Sequence, residues 1–359
     1  QRWRDLALSL GARGMGRTWP NPAVGCVLVK EGRVLGRGWT QPGGRPHAEV
    51  MALGQAGPEA RGATVYVTLE PCSHTGKTPP CSQALIKAGV ARVVIALGDP
   101  DPRDAGRGIK YLEEAGIEAS IGVGADQAAR EHAGGLLRIT KQRPFVTLKL
   151  ASSFDGRIAT GTGESQWITG PAARRAVHAM RARHDAVLVG AGTARADKPS
   201  LTVRDLGQWN APVRVVMSDR LYLPQVGPLA AGTQEPPVCL IHVPKASKDQ
   251  AAFWSARGAK LIEVDSTDGQ PSASAAMTAL AEAGITRVFC EGGAHLAASL
   301  LHAGLVDELV GFSAGLALGG DGYASIAPLE VEALADAPRF ALADLRKVGP
   351  DFLHIWRRT

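Results

Sequence analysis

The chain of 359 residues is long enough for two domains, and an apolar content of 45% lets each bury a core. Aromatic residues make up only 5% beside 43 glycines, which favours an α/β protein with tight strand–helix turns over an aromatic-cored sandwich. The net charge of +6 is spread without a block of like charges, which argues against a nucleic-acid-binding tail and leaves an anionic small ligand open.

The first residues, QRWRDLALSLGARG, carry charges and no long apolar core, so no signal peptide is expected, and the missing initial Met is expected of a trimmed start. Trp3, Leu6, Ala7 and Leu10 have helical spacing within 3–14. "AVGCVLV" and "RVLGRGW", split by Glu31-Gly32, predict a hairpin. A helix from about His47 to Gln55 stops at Gly57-Pro58. Strand "ATVYVTL", helix "SQALIKA" and strand "ARVVIAL" follow, the last ending at "GDPDP". A helix near 108–115, a strand "EASIG" and a helix near 126–138 complete the first half, a sheet with helices packed on it. The polar stretch "ITKQRP" at 139–144 is the expected linker, placing the domains at 1–142 and 143–359. The second half reads as another α/β domain. Its predicted strands are "FVTLKLA", "DAVLVG", "VRVVM", "VCLIH", "AKLIEV" and "TRVFCE", its helices 171–184, 272–283 and 294–302, and two strands near 339–348 and 352–358 close it. No run approaches ~18 apolar residues, so no membrane span is expected. Five cysteines, of which Cys26, Cys239 and Cys290 sit in apolar runs, do not make a disulfide framework, and a reducing cytoplasm is the expected compartment.

Chemistry concentrates at "PHAEV" and "EPCSHTGKTPPC". His-x-Glu followed by Pro-Cys-x-x-Cys is the pattern of zinc-dependent base deaminases, but here eight residues separate the cysteines. A catalytic zinc takes three protein ligands and keeps one open position, and His47, Cys72 and Cys81 form such a set. His47 and Cys81 are each expected to open a helix, where the dipole favours a thiolate, and Cys72 to follow a strand. The insert between the cysteines can then loop out without moving a ligand. Zinc lowers the pKa of water toward ~7, and Glu49 is placed to take its proton and pass it to a leaving amine. A structural zinc with His74 as fourth ligand is the alternative.

"NPAVGCVLV", "PHAEV", "YVTLEPCSHTGKTPPC" and "ALIKAGVARVV" resemble the deaminase half of the bifunctional riboflavin-biosynthesis deaminase–reductase family, in which the second cysteine also follows an eight-residue insert. The resemblance implies that His47, Cys72 and Cys81 bind Zn²⁺, that Glu49 carries the proton, and that Asn21, His74 and Lys77 line the substrate pocket.

The second half lacks G-x-G-x-x-G, so no Rossmann fingerprint marks a dinucleotide site. Two turns offer backbone amides to a phosphate, "VGAGTARAD" after a strand and "CEGGAHLAASLL" before a helix. "LKLASSFDGRIA", "GESQWITG", "ARADKPSLTVR", "EGGAHLAASLL" and "GLVDEL" are similar, in order, to the reductase half of the same family. That half has a dihydrofolate-reductase-like fold, and the first a cytidine-deaminase-like three-layer fold. The resemblance implies NADPH contacts from Ser152, Trp167, Thr193, Asp197, and the turn Gly293, Ala294, His295, Leu296, Ala297, Ala298 and Ser299. It implies substrate contacts from Ser165, Arg181, Leu201, Arg204 and Glu291, with Lys149 and Asp155 near the site of hydride transfer. Three departures stand out. Lys198 replaces the second Asp of Asp-Asp-Pro, Ser218-Asp219 inverts an Asp-Ser pair, which puts a preference for NADPH over NADH in question, and Phe154 replaces a Leu. The implied substrate is a phosphorylated ribosylamino-pyrimidinone, 2,5-diamino-6-(5-phosphoribosylamino)pyrimidin-4(3H)-one, deaminated and then reduced to a ribityl chain. The expected partners are this small molecule and a second copy of the chain, with neither nucleic acid nor membrane. Base editing of tRNA and zinc-stabilised sensing of flavin precursors are the competing readings.

Overall fold

The unbroken apolar run in "GCVLVK" calls for a strand buried on both faces. The computed structural model describes residues 1–207, 211–232 and 236–359. It divides into two units, Gln1–Arg143 and Pro144–Thr359. In the first, β1 (Gly25–Lys30) turns Cys26 and Leu28 to one face and Val27 and Val29 to the other, all buried, so the sheet needs a layer on each side. α1 (Arg2–Gly11) covers Val27 and Val29 with Ala7 and Leu10. β2 (Arg33–Trp39) pairs antiparallel with β1 as the hairpin predicts. The opposite face, with Cys26, Leu28 and residues of β3 (Thr64–Val67) and β4 (Arg92–Ile95), packs against Ala48 and Ala52 of α2 (Ala48–Ala56), Leu85 of α3 (Cys81–Ala88) and Leu112 of α4 (Arg107–Glu114). β5 (Glu118–Ile121) completes the sheet in the order β2-β1-β3-β4-β5. α5 (Ala125–Lys141) joins α1 through Ala128 and Leu8. This is the three-layer deaminase-like arrangement.

Two glycines set how closely α2 approaches. A Cβ on Gly36 would lie 2.1 Å from the Ala52 carbonyl oxygen, and one on Gly38 2.1 Å from that of Ala48. Without them the helix that begins at the site would stand off the sheet.

The linker expected at 139–144 needs correction. Ile139, Thr140 and Lys141 continue α5, whose last turn carries Arg138 and Lys141 where cations complement the helix dipole. The break between units falls at Arg143 and Pro144.

The second unit is one nine-stranded sheet in the order β11-β10-β9-β8-β14-β6-β15-β18-β17. Its strands are β6 (Phe145–Ser153), β8 (Ala186–Gly190), β9 (Val213–Met217), β10 (Val238–His242), β11 (Lys260–Glu263), β14 (Arg287–Cys290), β15 (Glu308–Ala314), β17 (Phe340–Val348) and β18 (Asp351–Arg358). The pairs from β11 through β15 are parallel, and the β17–β18 hairpin closes the sheet antiparallel. Short pairs β7 (Arg157–Ala159) with β16 (Tyr323–Ala324), and β12 (Ser266–Thr267) with β13 (Gln270–Pro271), lie outside it. α6 (Pro171–Arg181) packs on Val310, Phe312 and Leu353. α7 (Ala191–Asp197) and α8 (Lys248–Ala256) cover Val187, Val216 and Leu240 through Ala194 and Trp254. α9 (Ala273–Glu282) and α10 (Ala294–His302) complete the helices. Parallel strands buried on both faces explain the continuous apolar runs, and the architecture is dihydrofolate-reductase-like. "AGTARAD", read as a turn, is helix α7. Burial of Ala194 among Leu201, Val216 and Leu221 fixes it.

Candidate active sites

Both helix starts predicted for the first site are present. His47 is the N-cap of α2, Cys81 opens α3 after Pro80, and Cys72 lies in the loop beyond β3. One ligand atom from each of His47, Cys72 and Cys81 falls within 4.8 Å of the others. His47 Nδ1 is 3.3 Å from Cys81 Sγ and 3.6 Å from Cys72 Sγ. A tetrahedral zinc with Zn–N of about 2.1 Å and Zn–S of about 2.3 Å sets nitrogen and sulfur about 3.6 Å apart, so the three side chains fit that ion. The Ser82 hydroxyl and amide donate to the Cys72 carbonyl at 3.0 and 3.2 Å, and the Cys81 amide donates to Cys72 Sγ at 3.3 Å. A hydrogen bond from the Cys81 thiol, with that to His47, holds Cys72 down to about 4, and the same thiol–thiol bond pushes Cys81 up. The arrangement favours one thiolate at once, and a cation at the centre favours the second.

Glu49 is buried at 3% exposure in the first turn of α2. Burial, reinforced by the negative charge of Cys72, pushes its carboxyl up to about 7. A carboxyl that holds or yields a proton near neutrality is suited to proton transfer. Asn21 Nδ2 donates to the Gly44 carbonyl at 2.9 Å and lies 3.5 Å from His47 Nε2. His74 is outside the three-residue cluster. Its Nδ1 lies 2.8 Å from Asp104 Oδ2, so the ring is engaged by a carboxylate, not by a fourth ligand position. Lys77 is exposed in the insert, and Arg45 reaches it by donating to the Thr78 hydroxyl. Neither Asp104 nor Arg45 is marked by the sequence reading. Asp104 sits in the polar turn "DPDPRDAG", where no periodicity signals a partner.

In the second unit, Lys149 on β6 shares a charged cluster with Glu291, Arg181 and Asp197. Burial lowers the Lys149 pKa, opposed by Glu291, and raises that of Asp197, opposed by Lys149. Arg181, at the end of α6, grips Glu291 with both arms of its guanidinium and donates to the Thr202 carbonyl at 2.7 Å. Although burial raises Glu291, Arg181 outweighs it and holds the carboxyl below its usual range. The exposed Arg204 is tethered through its backbone amide to His178 Nδ1 at 3.3 Å. Leu201 is buried with φ of 55°, a sparsely populated conformation for a branched side chain. Ser165 is half-buried in the loop leading to Trp167.

Gly292 and Gly293, with φ of 84° and 52°, lead into α10. A Cβ on Gly293 would stand 2.9 Å from Thr193 Oγ1, so glycine keeps this helix start open beside α7. Open amides at a helix N-terminus fit the pyrophosphate of a dinucleotide. Within the turn, Leu296, Ala297 and Ala298 point their side chains into the core, whereas His295 and Ser299 are exposed. Ser152 is half-buried on β6 opposite Ser313. Trp167 is 69% exposed, with the Arg174 guanidinium 4.6 Å above its ring. Asp155 is engaged differently from Lys149. Its carboxylate accepts from the Gly319 amide at 2.7 Å, the Leu318 amide at 3.1 Å and the Ser153 hydroxyl at 2.5 Å, and these bonds hold it down to about 2. Ser218 is buried and accepts from the Leu221 amide at 3.0 Å, while Asp219 pairs with Arg220 at 3.3 Å. Phe154 is exposed, and its amide donates to the Leu316 carbonyl at 2.7 Å.

Comparison with known proteins matches a family model to each unit. Residues 1–97 match the cytidine and deoxycytidylate deaminase zinc-binding region, and residues 144–354 match the RibD C-terminal domain. The riboflavin biosynthesis protein RibD of Escherichia coli is 42% identical, over 97% of this chain and 97% of its own length. A solved structure of Acinetobacter baumannii RibD is 38% identical with a TM-score of 0.89, covering 100% of this chain and 98% of that one. The diaminohydroxyphosphoribosylaminopyrimidine deaminase/5-amino-6-(5-phosphoribosylamino)uracil reductase of Thermotoga maritima is 34% identical with a TM-score of 0.86, again over 100% and 98%. With a His/Cys/Cys cluster able to hold a metal in one unit and the RibD C-terminal domain matched over the other, the chain belongs to the riboflavin biosynthesis protein RibD family.

Proposed function

We propose that residues 1–142 deaminate 2,5-diamino-6-(5-phosphoribosylamino)pyrimidin-4(3H)-one and that residues 143–359 reduce the ribosyl group of the product to ribityl. The observation that carries this reading is the set of three ligand side chains with Glu49 buried beside them. His47, Cys72 and Cys81 would hold zinc, which supplies a Lewis acid beside an open position. Asn21, His74 and Lys77 orient the pyrimidine over it. Water adds to the ring carbon that carries the 2-amino group. The Glu49 carboxylate takes a proton from that water and returns it to the amine nitrogen, which leaves as ammonia. Burial of Glu49 keeps bulk water from competing for the proton.

In the reductase, NADPH supplies the hydride. The open helix start at Gly293 and Ala294, with Thr193 and Asp197 of α7, would hold the cofactor, and Ser152, Trp167, His295 and Ser299 border it. Leu296 would contribute through its backbone amide, whereas the Ala297 amide already donates to the Gly293 carbonyl at 2.9 Å, so Ala297 and Ala298, whose side chains belong to the core, hold the turn from within the helix. Lys149, Ser165, Arg181, Leu201, Arg204 and Glu291 bind the phosphorylated sugar. Asp155 shapes the neighbouring loop. The bound cofactor would supply a hydride to C1′, with the bond from C1′ to the ring oxygen broken and a proton taken up by that oxygen. The inverted pair is compatible with a 2′-phosphate nearby, because Arg220 stands against the Asp219 charge.

Among the described residues no helix is long and apolar enough to cross a membrane. A cytoplasmic enzyme of free small molecules, with no nucleic-acid partner, fits a basic charge that is dispersed. Self-association fits the edge strand β17, where Leu342 and Leu345 are exposed at 51% and 59%. The test is stoichiometry. Zinc-loaded protein given the diamino substrate and NADPH should release one ammonia for each NADPH oxidised, with NADH oxidised more slowly. Ammonia release with no nicotinamide oxidised, or neither, would overturn the assignment.

A further inference from the structure

The insert between Cys72 and Cys81 has little core of its own, and residues 75–79 are exposed. Its first turn is held from a distant loop. Asp104 is 2% exposed, and among the described residues the hydrogen bonds to its carboxylate come from Ser73 and His74. Oδ1 accepts from the Ser73 amide at 2.6 Å, the Ser73 hydroxyl at 2.9 Å and the His74 amide at 3.1 Å, and Oδ2 lies 2.8 Å from His74 Nδ1. A buried carboxylate is tolerated only when its lone pairs are met, and here the insert meets them. Burial raises the Asp104 carboxyl, but the bonds from Ser73 and His74 outweigh it and the group is held low.

Asp104 is itself fixed. Glu70, also buried, accepts from the amides of Asp99 at 3.3 Å, Gly106 at 3.1 Å, Gly108 at 3.0 Å and Ile109 at 3.3 Å. The loop from β4 into α4 is therefore tied to the strand end that leads to Cys72. With Nδ1 donating to Asp104, the His74 ring has one orientation, and its Nε2 is left facing away from that carboxylate.

We propose that Asp104 is a positioning residue for deamination, which fixes the His74 ring and the first turn of the insert so that Nε2 meets the substrate. The proposal rests on the reading of His74 as a substrate contact. A purely structural brace would lower folding, zinc content and turnover together. A positioning group acts on substrate binding and acts through His74.

Steady-state deamination by the full zinc-loaded chain separates the two, with bound zinc and reductase rate measured alongside. The variants are Asp104→Ala, Asp104→Asn and His74→Ala, and the double variant Asp104→Ala with His74→Ala. Asp104→Ala is expected to raise the deamination KM about tenfold or more while kcat stays within about threefold, with zinc and reductase rate unchanged. In the His74→Ala background the same change should move KM less than about twofold, because the two residues act as one unit. Asp104→Asn keeps an acceptor oxygen for Ser73 and should give a smaller rise. An unchanged KM in Asp104→Ala overturns the proposal, as do effects of Asp104→Ala and His74→Ala that multiply. Loss of zinc or of reductase activity in both Asp104 variants also overturns it. A normal KM in His74→Ala removes the reading of His74 and the proposal with it, whereas failure at Asp104 alone leaves that reading standing.

Discussion

Glu49 acquires its chemistry from position. Two residues after His47 in a continuous helix, its side chain would point away from the histidine. His47 is instead the N-cap, with extended backbone, and Glu49 lies in the first turn, so both stand at the helix start. Burial then lifts the carboxyl to about 7, where an exposed glutamate would remain ionised. His184 shows the same principle in the second unit. Its Nδ1 donates to the Met180 carbonyl at 2.7 Å and its Nε2 accepts from the Thr147 hydroxyl at 3.0 Å. A neutral ring makes both bonds, and burial holds the pKa down to about 3 from the ordinary 6.5. Unfolded His184 gains its proton near the ordinary value and the folded form does not. The stability it contributes is thus present above pH 6.5 and lost as pH falls toward 3. Between pH 7.5 and pH 5 the loss should be about 2 kcal/mol. Denaturant unfolding at both pH values checks this, with His184→Gln expected to show a smaller difference than the parent. Equal pH dependence in the two proteins would contradict the assignment.

At the scale of elements, the approach of α2 to the hairpin decides where the ligand side chains stand. Gly38→Ala would place a methyl group 2.1 Å from the Ala48 carbonyl oxygen, so the helix carrying His47 and Glu49 must move. The expected cost is about 1–3 kcal/mol, and zinc should be lost to a chelator faster while the reductase rate is kept. Thermal unfolding and chelator competition measure both, and parental values in each would refute the close-packing explanation. Much of this unit is legible in sequence because its signals are local. Glu31-Gly32 marks the hairpin, Pro46 and Pro80 stand just before the two helix starts, and Gly89 ends α3 in a left-handed conformation. What is not legible depends on tertiary contact. α7 looks like a glycine turn until Ala194 is seen in the core, and 139–141 look like a linker until α5 carries them. Asp104 is a turn residue in sequence, and only the fold brings it to Ser73 and His74.

On the scale of the whole molecule, two units with separate sheets carry two chemistries in a bifunctional deaminase–reductase of riboflavin biosynthesis. The first unit gathers His47, Cys72 and Cys81 into a cluster able to hold a metal, and the second, without a Rossmann fingerprint, has a glycine-opened helix start next to the Arg181–Glu291 pair. Sequence motifs single out candidate residues in both units, but not the way charge is shared among them. The cluster of Lys149, Glu291, Arg181 and Asp197 draws on β6, the turn after β14, α6 and α7, which lie far apart in the chain. The central claim is that the two activities use separate machinery in one chain. Glu49→Gln tests it most directly, with ammonia release measured from the diamino substrate and NADPH oxidation from the deaminated one. The account expects ammonia release to fall by about a thousandfold or more, while NADPH oxidation stays within about twofold of the parent. Loss of both activities in a folded, zinc-containing variant, or retention of both, would contradict it.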